Sequence, residues 1–291
     1  MICVNPLLER LREAPLVGDG AMGTELLARG LRQGECPELW NAEHPELVGE
    51  VCAAYVAAGA DVISTNTFGG CPLKLRRFAL EERAAELNRR GVEIAVRAAD
   101  GKALVWASMG PSGMLLEPLG EVSLAQAVDA FRVQAEAQAA GGAQAILVET
   151  MSSLEELRAA VEGARQACEL PVFCTMSFGP GGRTAFGVTP EQLARCAEEL
   201  GCAGVGVNCG EGLDENLAVL RELARHTTLP LIIQANAGKP QVVEGKTVYP
   251  AGPEEMARYA VQFVQAGAAV VGACCGSTPE HIRAIAQALR R

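Results

Sequence analysis

Short, unbroken apolar runs alternate along this chain with longer stretches in which apolar residues recur every three to four positions. The first pattern reads as buried strand and the second as amphipathic helix. Strands are expected at Leu16–Val17, running into the glycine-rich bend Gly18–Thr24, and at Val62–Phe68, Ala103–Met109, Ala143–Glu149, Val172–Phe178, Ala203–Cys209, Leu231–Ala235 and Ala268–Val271. A polar helix is expected at Pro6–Glu13, with further helices at Glu46–Ala58, Glu81–Ala99, Leu124–Ala140, Leu154–Cys168, Pro190–Leu200, Leu213–Arg225, Pro253–Gln265 and Pro279–Leu289. The strands are continuously apolar rather than alternating, as parallel strands covered on both faces must be. Eight strands, each followed by a helix and spaced about 30 to 45 residues apart, favour a single (β/α)8 barrel over an open sheet. With no linker or low-complexity tract in view, residues 1–291 read as one domain.

Composition narrows the partners. A net charge of −10 argues against nucleic acid or an anionic membrane as ligand. Residues 1–15 are punctuated by charge and lack the apolar core of a leader peptide, and no run reaches membrane-spanning length. Eleven cysteines are scattered without C-x-x-C pairs, so most are expected to be reduced thiols in a cytoplasmic protein, with Cys168, Cys196 and Cys202 as small core residues.

Chemistry concentrates where strands end, the face on which barrels build their sites. Asp19, Asn66, Glu149, Asn208–Cys209, Asn236 and Cys274–Cys275 all fall there. Adjacent cysteines are badly strained as a disulfide, and by themselves they would be read as packing residues. Cys209 at a neighbouring strand tip changes that reading, because Cys209, Cys274 and Cys275 can converge as three thiolates around zinc with one position open. Two consecutive strand residues point to opposite faces, so Cys275 is expected in the turn that Gly276 allows. Asn236, on the strand between, is expected to fill the open position in the absence of substrate. A three-thiolate zinc suits holding a further thiol as a nucleophilic thiolate, whereas histidine-rich zinc suits water activation.

Asp19 and Glu149 are candidate partners for a substrate ammonium, and the backbone from Gly20 to Thr24 for a carboxylate. The expected substrate is therefore an amino acid bearing a thiol. By residue type alone Asp19 also suits a turn, Glu149 a helix start, and Asn66 and Asn208 simple loop bonding. Gly245–Lys246–Thr247 imitates the end of a phosphate loop but lacks its upstream glycine, because position 240 is Pro240. His44, His226 and His281 lie near helix ends and are expected at the surface, leaving histidine catalysis without support.

Several motifs in order then identify a resemblance: Asp-Gly-Ala-Met-Gly-Thr at 19–24, Thr-Asn-Thr-Phe-Gly at 65–69, Val-Asn-Cys-Gly at 207–210, Asn-Ala-Gly at 236–238, Gly-Lys-Thr-Val-Tyr-Pro at 245–250 and Gly-Ala-Cys-Cys-Gly-Ser-Thr-Pro-Glu-His-Ile-Arg at 272–283. Over nearly its whole length the chain resembles the homocysteine S-methyltransferase family, and most closely the homocysteine module of the cobalamin-dependent methionine synthases. The betaine- and S-methylmethionine-dependent branches are less similar. The resemblance implies zinc on Cys209, Cys274 and Cys275, homocysteine sulfur as the exchangeable ligand, and Asp19 and Glu149 at amino-acid-binding positions. Cys52 departs from the histidine that members often carry there. No folate-binding barrel or corrinoid-binding domain follows: those parts are separate polypeptides, or the chain is an excised module, or the donor is a small molecule such as S-methylmethionine or betaine; methylcobalamin on a separate module or chain is the expected donor. Two other readings compete: a metal-dependent barrel lyase or aldolase, which would use carboxylate and histidine ligands, and a zinc- or thiol-binding module without turnover.

Overall fold

The computed structural model describes residues 5–243 and 246–290. Eight strands form one parallel sheet: β1 (Leu16–Val17), β2 (Val62–Ser64), β3 (Leu104–Met109), β4 (Ala145–Met151), β5 (Val172–Met176), β6 (Gly204–Cys209), β7 (Leu231–Ala235) and β8 (Ala268–Ala273). The order around the sheet is β1-β8-β7-β6-β5-β4-β3-β2. A parallel bridge from Gly18 to Val62, with Asp61 N donating to Val17 O at 2.7 Å, joins the two ends into a barrel. Helices Pro45–Ala58, Ala84–Ala99, Leu124–Ala140, Leu154–Ala167, Pro190–Glu199, Leu213–Leu223, Pro253–Gln265 and Pro279–Leu289 follow the strands in turn. The expected (β/α)8 barrel is the fold.

Strand pleating explains how one chain makes both a dry core and a polar site. Successive residues face opposite ways, so the outward ones (Val105, Ile146, Cys174, Val205, Ile233, Val271) pack beneath the helices. The inward residues Leu16, Val62, Trp106, Ala145, Leu147, Phe173, Ile232 and Val270 form a separate cluster along the barrel axis. Gly204 leaves space for the Phe173 ring, which would lie 2.6 Å from an added Cβ. The helix Pro6–Glu13 plugs the end where strands begin, with Leu7 fully buried in that same cluster. Its cap residue Asn5 bonds Gln144 O at 2.7 Å. At the opposite end the inward positions turn polar.

Some boundaries differ from the sequence reading. β2 stops at Ser64 rather than running to Phe68, because the chain folds on itself there, with Thr67 N bonding Thr65 O at 2.9 Å. β4 runs two residues beyond Glu149, to Met151. The helix expected from Glu81 opens with a 3-10 turn, Glu81–Arg83, before the α-helix at Ala84. A hairpin with strands Gln241–Val243 and Lys246–Val248, and short helices at Trp40–Glu43 and Pro72–Leu75, had no periodic signal. Lys246 and Thr247 lie on that hairpin rather than at a helix start; Gly245 of the rejected phosphate-loop match lies outside the described residues.

Candidate metal and amino-acid site

Cys209 ends β6 with φ of +57°, a left-handed conformation that non-glycine residues adopt at a cost, and Gly210 continues the turn at +79°. Cys274 and Cys275 both lie past the end of β8, so the alternation of a strand no longer separates them. Their turn is pinned to β7: Cys274 N donates to Ala235 O at 2.8 Å and Ala237 N to Cys275 O at 3.0 Å. Gly276, at φ +80°, reverses the chain, and Ser277 Oγ donates back to Cys274 O at 2.7 Å. The three sulfurs lie within 4.8 Å of one another, with Cys209 to Cys274 at 2.8 Å and Cys274 to Cys275 at 3.9 Å.

A tetrahedral zinc with sulfur bonds near 2.3 Å requires sulfur–sulfur edges of about 3.8 Å. The 3.9 Å edge matches that, while the 2.8 Å edge must open by roughly 1 Å. Asn236 lies just past the end of β7, the strand between β6 and β8. Its Nδ2 bonds Gly210 O at 3.1 Å, and its buried Oδ1 has no partner. An unpaired buried acceptor costs about 1–3 kcal/mol, a deficit that a cation beside it would remove.

The cluster also carries charge. Cys275 is held far below the usual thiol range by the neighbouring thiols of Cys209 and Cys274, and Cys274 is pushed up by Cys209 and Cys275 and by burial.

Across the mouth, the uppermost inward residues form a hydrogen-bonded arc. Asp19 accepts from Ser64 N at 2.7 Å and Ser64 Oγ at 3.0 Å, and Ser64 Oγ accepts from Trp106 Nε1 at 2.9 Å. Glu149 accepts from Ser108 Oγ and, at 3.4 Å, from Asn208 Nδ2. Asn208 is the hub: it also reaches Thr150 Oγ1 at 2.6 Å and Cys209 Sγ at 3.8 Å, and its Oδ1 accepts from Thr175 Oγ1 at 2.8 Å. All the partners of the two carboxylates are neutral, so burial pushes both up to about 7, Glu149 with a further contribution from the charge of Asp19. Two buried acids therefore stand near enough at the strand ends for one to raise the other.

The geometry separates residues that looked equivalent in sequence. Asn208 belongs to the site, whereas Asn66 braces loops, donating to Pro37 O at 2.7 Å and Asn41 Oδ1 at 2.9 Å. Gly20 threads between Tyr55 and Ser277, whose atoms would lie 2.7–2.9 Å from an added Cβ. In the stretch assigned to a carboxylate, Ala21 N is already spent on Ser277 Oγ at 3.0 Å, and Thr24 Oγ1 accepts Gly276 N at 3.0 Å. Much of that motif therefore braces the cysteine turn. His281, expected at the surface, is buried: Nδ1 meets Thr278 N at 3.1 Å and Nε2 meets Ala251 O at 3.1 Å. The serines of the arc escaped the sequence reading because single serines inside apolar strands resemble packing residues. Tyr249 stood only as part of a motif, and its ring lies flat on Gly276.

Residues 16–289 match the homocysteine S-methyltransferase family. The chain is 36% identical to the methionine synthase of Mycobacterium tuberculosis over 301 residues, covering 97% of this chain, and 36% identical to that of Mycobacterium leprae, covering 98%. It spans only 25% of the length of either relative. Among solved structures, the metallated homocysteine methyltransferase MmuM of Escherichia coli superposes with a TM-score of 0.80 at 27% identity, covering 97% of this chain and 99% of that one. The chain belongs to the homocysteine S-methyltransferase family.

Proposed function

We propose that this chain, as one homocysteine-binding unit over residues 1–291, methylates the thiol of homocysteine to give methionine. The observation that carries the reading is the meeting of Cys209, Cys274 and Cys275 within 4.8 Å at the tips of β6 and β8. Zinc held by those three sulfurs would supply a soft Lewis acid that favours thiolate over thiol at neutral pH. Asn236 Oδ1 would hold the fourth position on that ion when no substrate is bound. Asp19 and Glu149 take the substrate ammonium, which provides the positive charge their buried carboxylates lack. The Gly20 segment, clamped by Tyr55 and Ser277, sets the position of Asp19 relative to the cysteine turn. Methionine, a thioether with no proton to lose, is held less firmly and leaves.

The donor is methylcobalamin carried on a separate corrinoid module, with a folate-binding module to recharge it. The chain's match to one quarter of each methionine synthase supports a division of labour among modules. A cytoplasmic setting is supported by the ten cysteines of the described residues, all free thiols. No helix among the described residues is long and apolar enough to cross a membrane.

The test is a donor panel. Zinc-loaded protein is given homocysteine with methylcobalamin, methyltetrahydrofolate, betaine or S-methylmethionine, and methionine is quantified. Methylcobalamin alone should support turnover. Methionine formed only from betaine or S-methylmethionine would overturn the donor assignment, and none from any donor would overturn the activity.

A further inference from the structure

The polar tier at the barrel mouth holds one more inward side chain, and the fold gives it nothing to bond. Ile232 points to the barrel axis, so Gln234, two residues on along β7, points the same way. It pairs in register with Asn208 on β6 and with Gly272 on β8. Gln234 is only 4% exposed, and its buried Oε1 has no hydrogen-bond partner among the described residues. Its companions in that tier, Ser64, Ser108, Glu149, Thr175 and Asn208, are each bonded to a neighbour.

Glycine keeps the space beside it open. Leu16 and Val270 line the axis, which makes Gly18 and Gly272 the inward positions above them. A Cβ added to Gly272 would fall 3.2 Å from Gln234 Cγ and 2.9 Å from Asp19 O, so any side chain there would wedge between Gln234 and Asp19. A substrate ammonium brings three N–H donors, and each needs an acceptor once water is left behind. Asp19 and Glu149 supply two carboxylates. The amide oxygen of Gln234 supplies a third acceptor without adding another negative charge to a tier that already holds two acids. An unpartnered buried acceptor costs stability that a donor restores.

We infer that Gln234 is a substrate-binding residue that sets specificity for the amino group, its Oε1 accepting the third N–H of the homocysteine ammonium. This rests on the proposed assignment of Asp19 and Glu149 to that ammonium.

The test compares homocysteine with 4-mercaptobutyrate, the same thiol acid without its amino group, as ligands of the zinc-loaded chain in calorimetry. Gln234→Met keeps a side chain of similar length and bulk and removes the acceptor. It should weaken homocysteine about ten- to a hundredfold, the scale of a hydrogen bond to a charged group, and leave 4-mercaptobutyrate as it was. Without ligand its urea midpoint should equal or exceed that of wild type, because the oxygen removed had no partner to lose. Equal weakening of both ligands would overturn the inference by making Gln234 a residue that merely shapes the pocket. Unchanged homocysteine binding would overturn it directly, and a lowered midpoint would do so by showing that the amide is already bonded in the free protein. If wild type prefers homocysteine to 4-mercaptobutyrate, any of these results sinks the role of Gln234 alone. Wild type that binds the two ligands equally would sink the ammonium assignment of Asp19 and Glu149 with it.

Discussion

At the scale of the residue, two kinds of side chain share the mouth and should fail separately. Cys209 contributes a sulfur from β6 to a cluster otherwise built on the turn after β8, so Cys209→Ala should reduce bound zinc from about one per chain to near zero while the barrel stays folded. Elemental analysis with circular dichroism reads both, and full zinc in the variant would remove Cys209 from the ligand set. Glu149 stands on β4, two strands from β6, and is linked to Cys209 through Asn208. Its loss should leave zinc in place and raise the KM for homocysteine by one to two orders of magnitude, since a charge-assisted hydrogen bond is worth about 1.5–3 kcal/mol. An unchanged KM in both Glu149→Ala and Asp19→Ala would make these carboxylates structural. The clustering of Cys209, Cys274 and Cys275 was legible in the sequence because all three fall at the ends of predicted strands. The asparagines were not, since Asn66 and Asn208 occupy similar strand-tip positions and differ only in what the fold sets beside them.

At the scale of the element, the barrel could be read from the chain because buried parallel strands leave unbroken apolar runs that nothing else imitates at this spacing. The connections between β7 and β8 could not. The hairpin Gln241–Val248 exposes Val242 and Val243, so it carries no inside-outside pattern, and its purpose shows only in where it delivers Tyr249 and Ala251. His281 is the clamp. Polar and close to a helix start, it reads as surface, yet it caps the helix Pro279–Leu289 at Thr278 while holding Ala251 O from the returning segment. His281→Ala leaves a cap amide and a buried carbonyl without partners and should cost about 1–3 kcal/mol, seen as a lower urea midpoint. Because the clamp holds the Tyr249 segment against the cysteine turn, proteolysis in the hairpin should also quicken under native conditions. A variant with wild-type stability and wild-type cleavage would show that the hairpin is held by other contacts.

At the scale of the whole molecule, the site is maintained against the fold's own interest. Asp19 is fully enclosed between β1, β2 and β8, and burial raises its carboxyl from 3.8 to about 7. The sign of the consequence follows from which state holds the proton. Below about pH 4 the folded and unfolded chains are both protonated at this residue, and it makes no difference to stability. Between pH 4 and 7 the unfolded chain ionises while the folded chain keeps its proton, so stability falls as pH rises and levels off above 7. Asp19→Asn cannot titrate. The difference in unfolding free energy between wild type and Asp19→Asn should therefore drift against wild type across that window, by an amount of the order of 2–4 kcal/mol. Taking the difference removes the contributions of groups remote from Asp19; Glu149, which feels the Asp19 charge, adds to the drift in the same direction because it ionises more readily once that charge is gone. Saturating methionine, which brings an ammonium but no thiol, should flatten the drift by supplying the missing counter-charge in the folded state. Urea titrations at half-unit steps from pH 4 to 8 measure all of this. A difference that stays level with pH would mean that Asp19 is ionised in the free protein and already balanced, in which case it could not be the residue that waits for the substrate's ammonium.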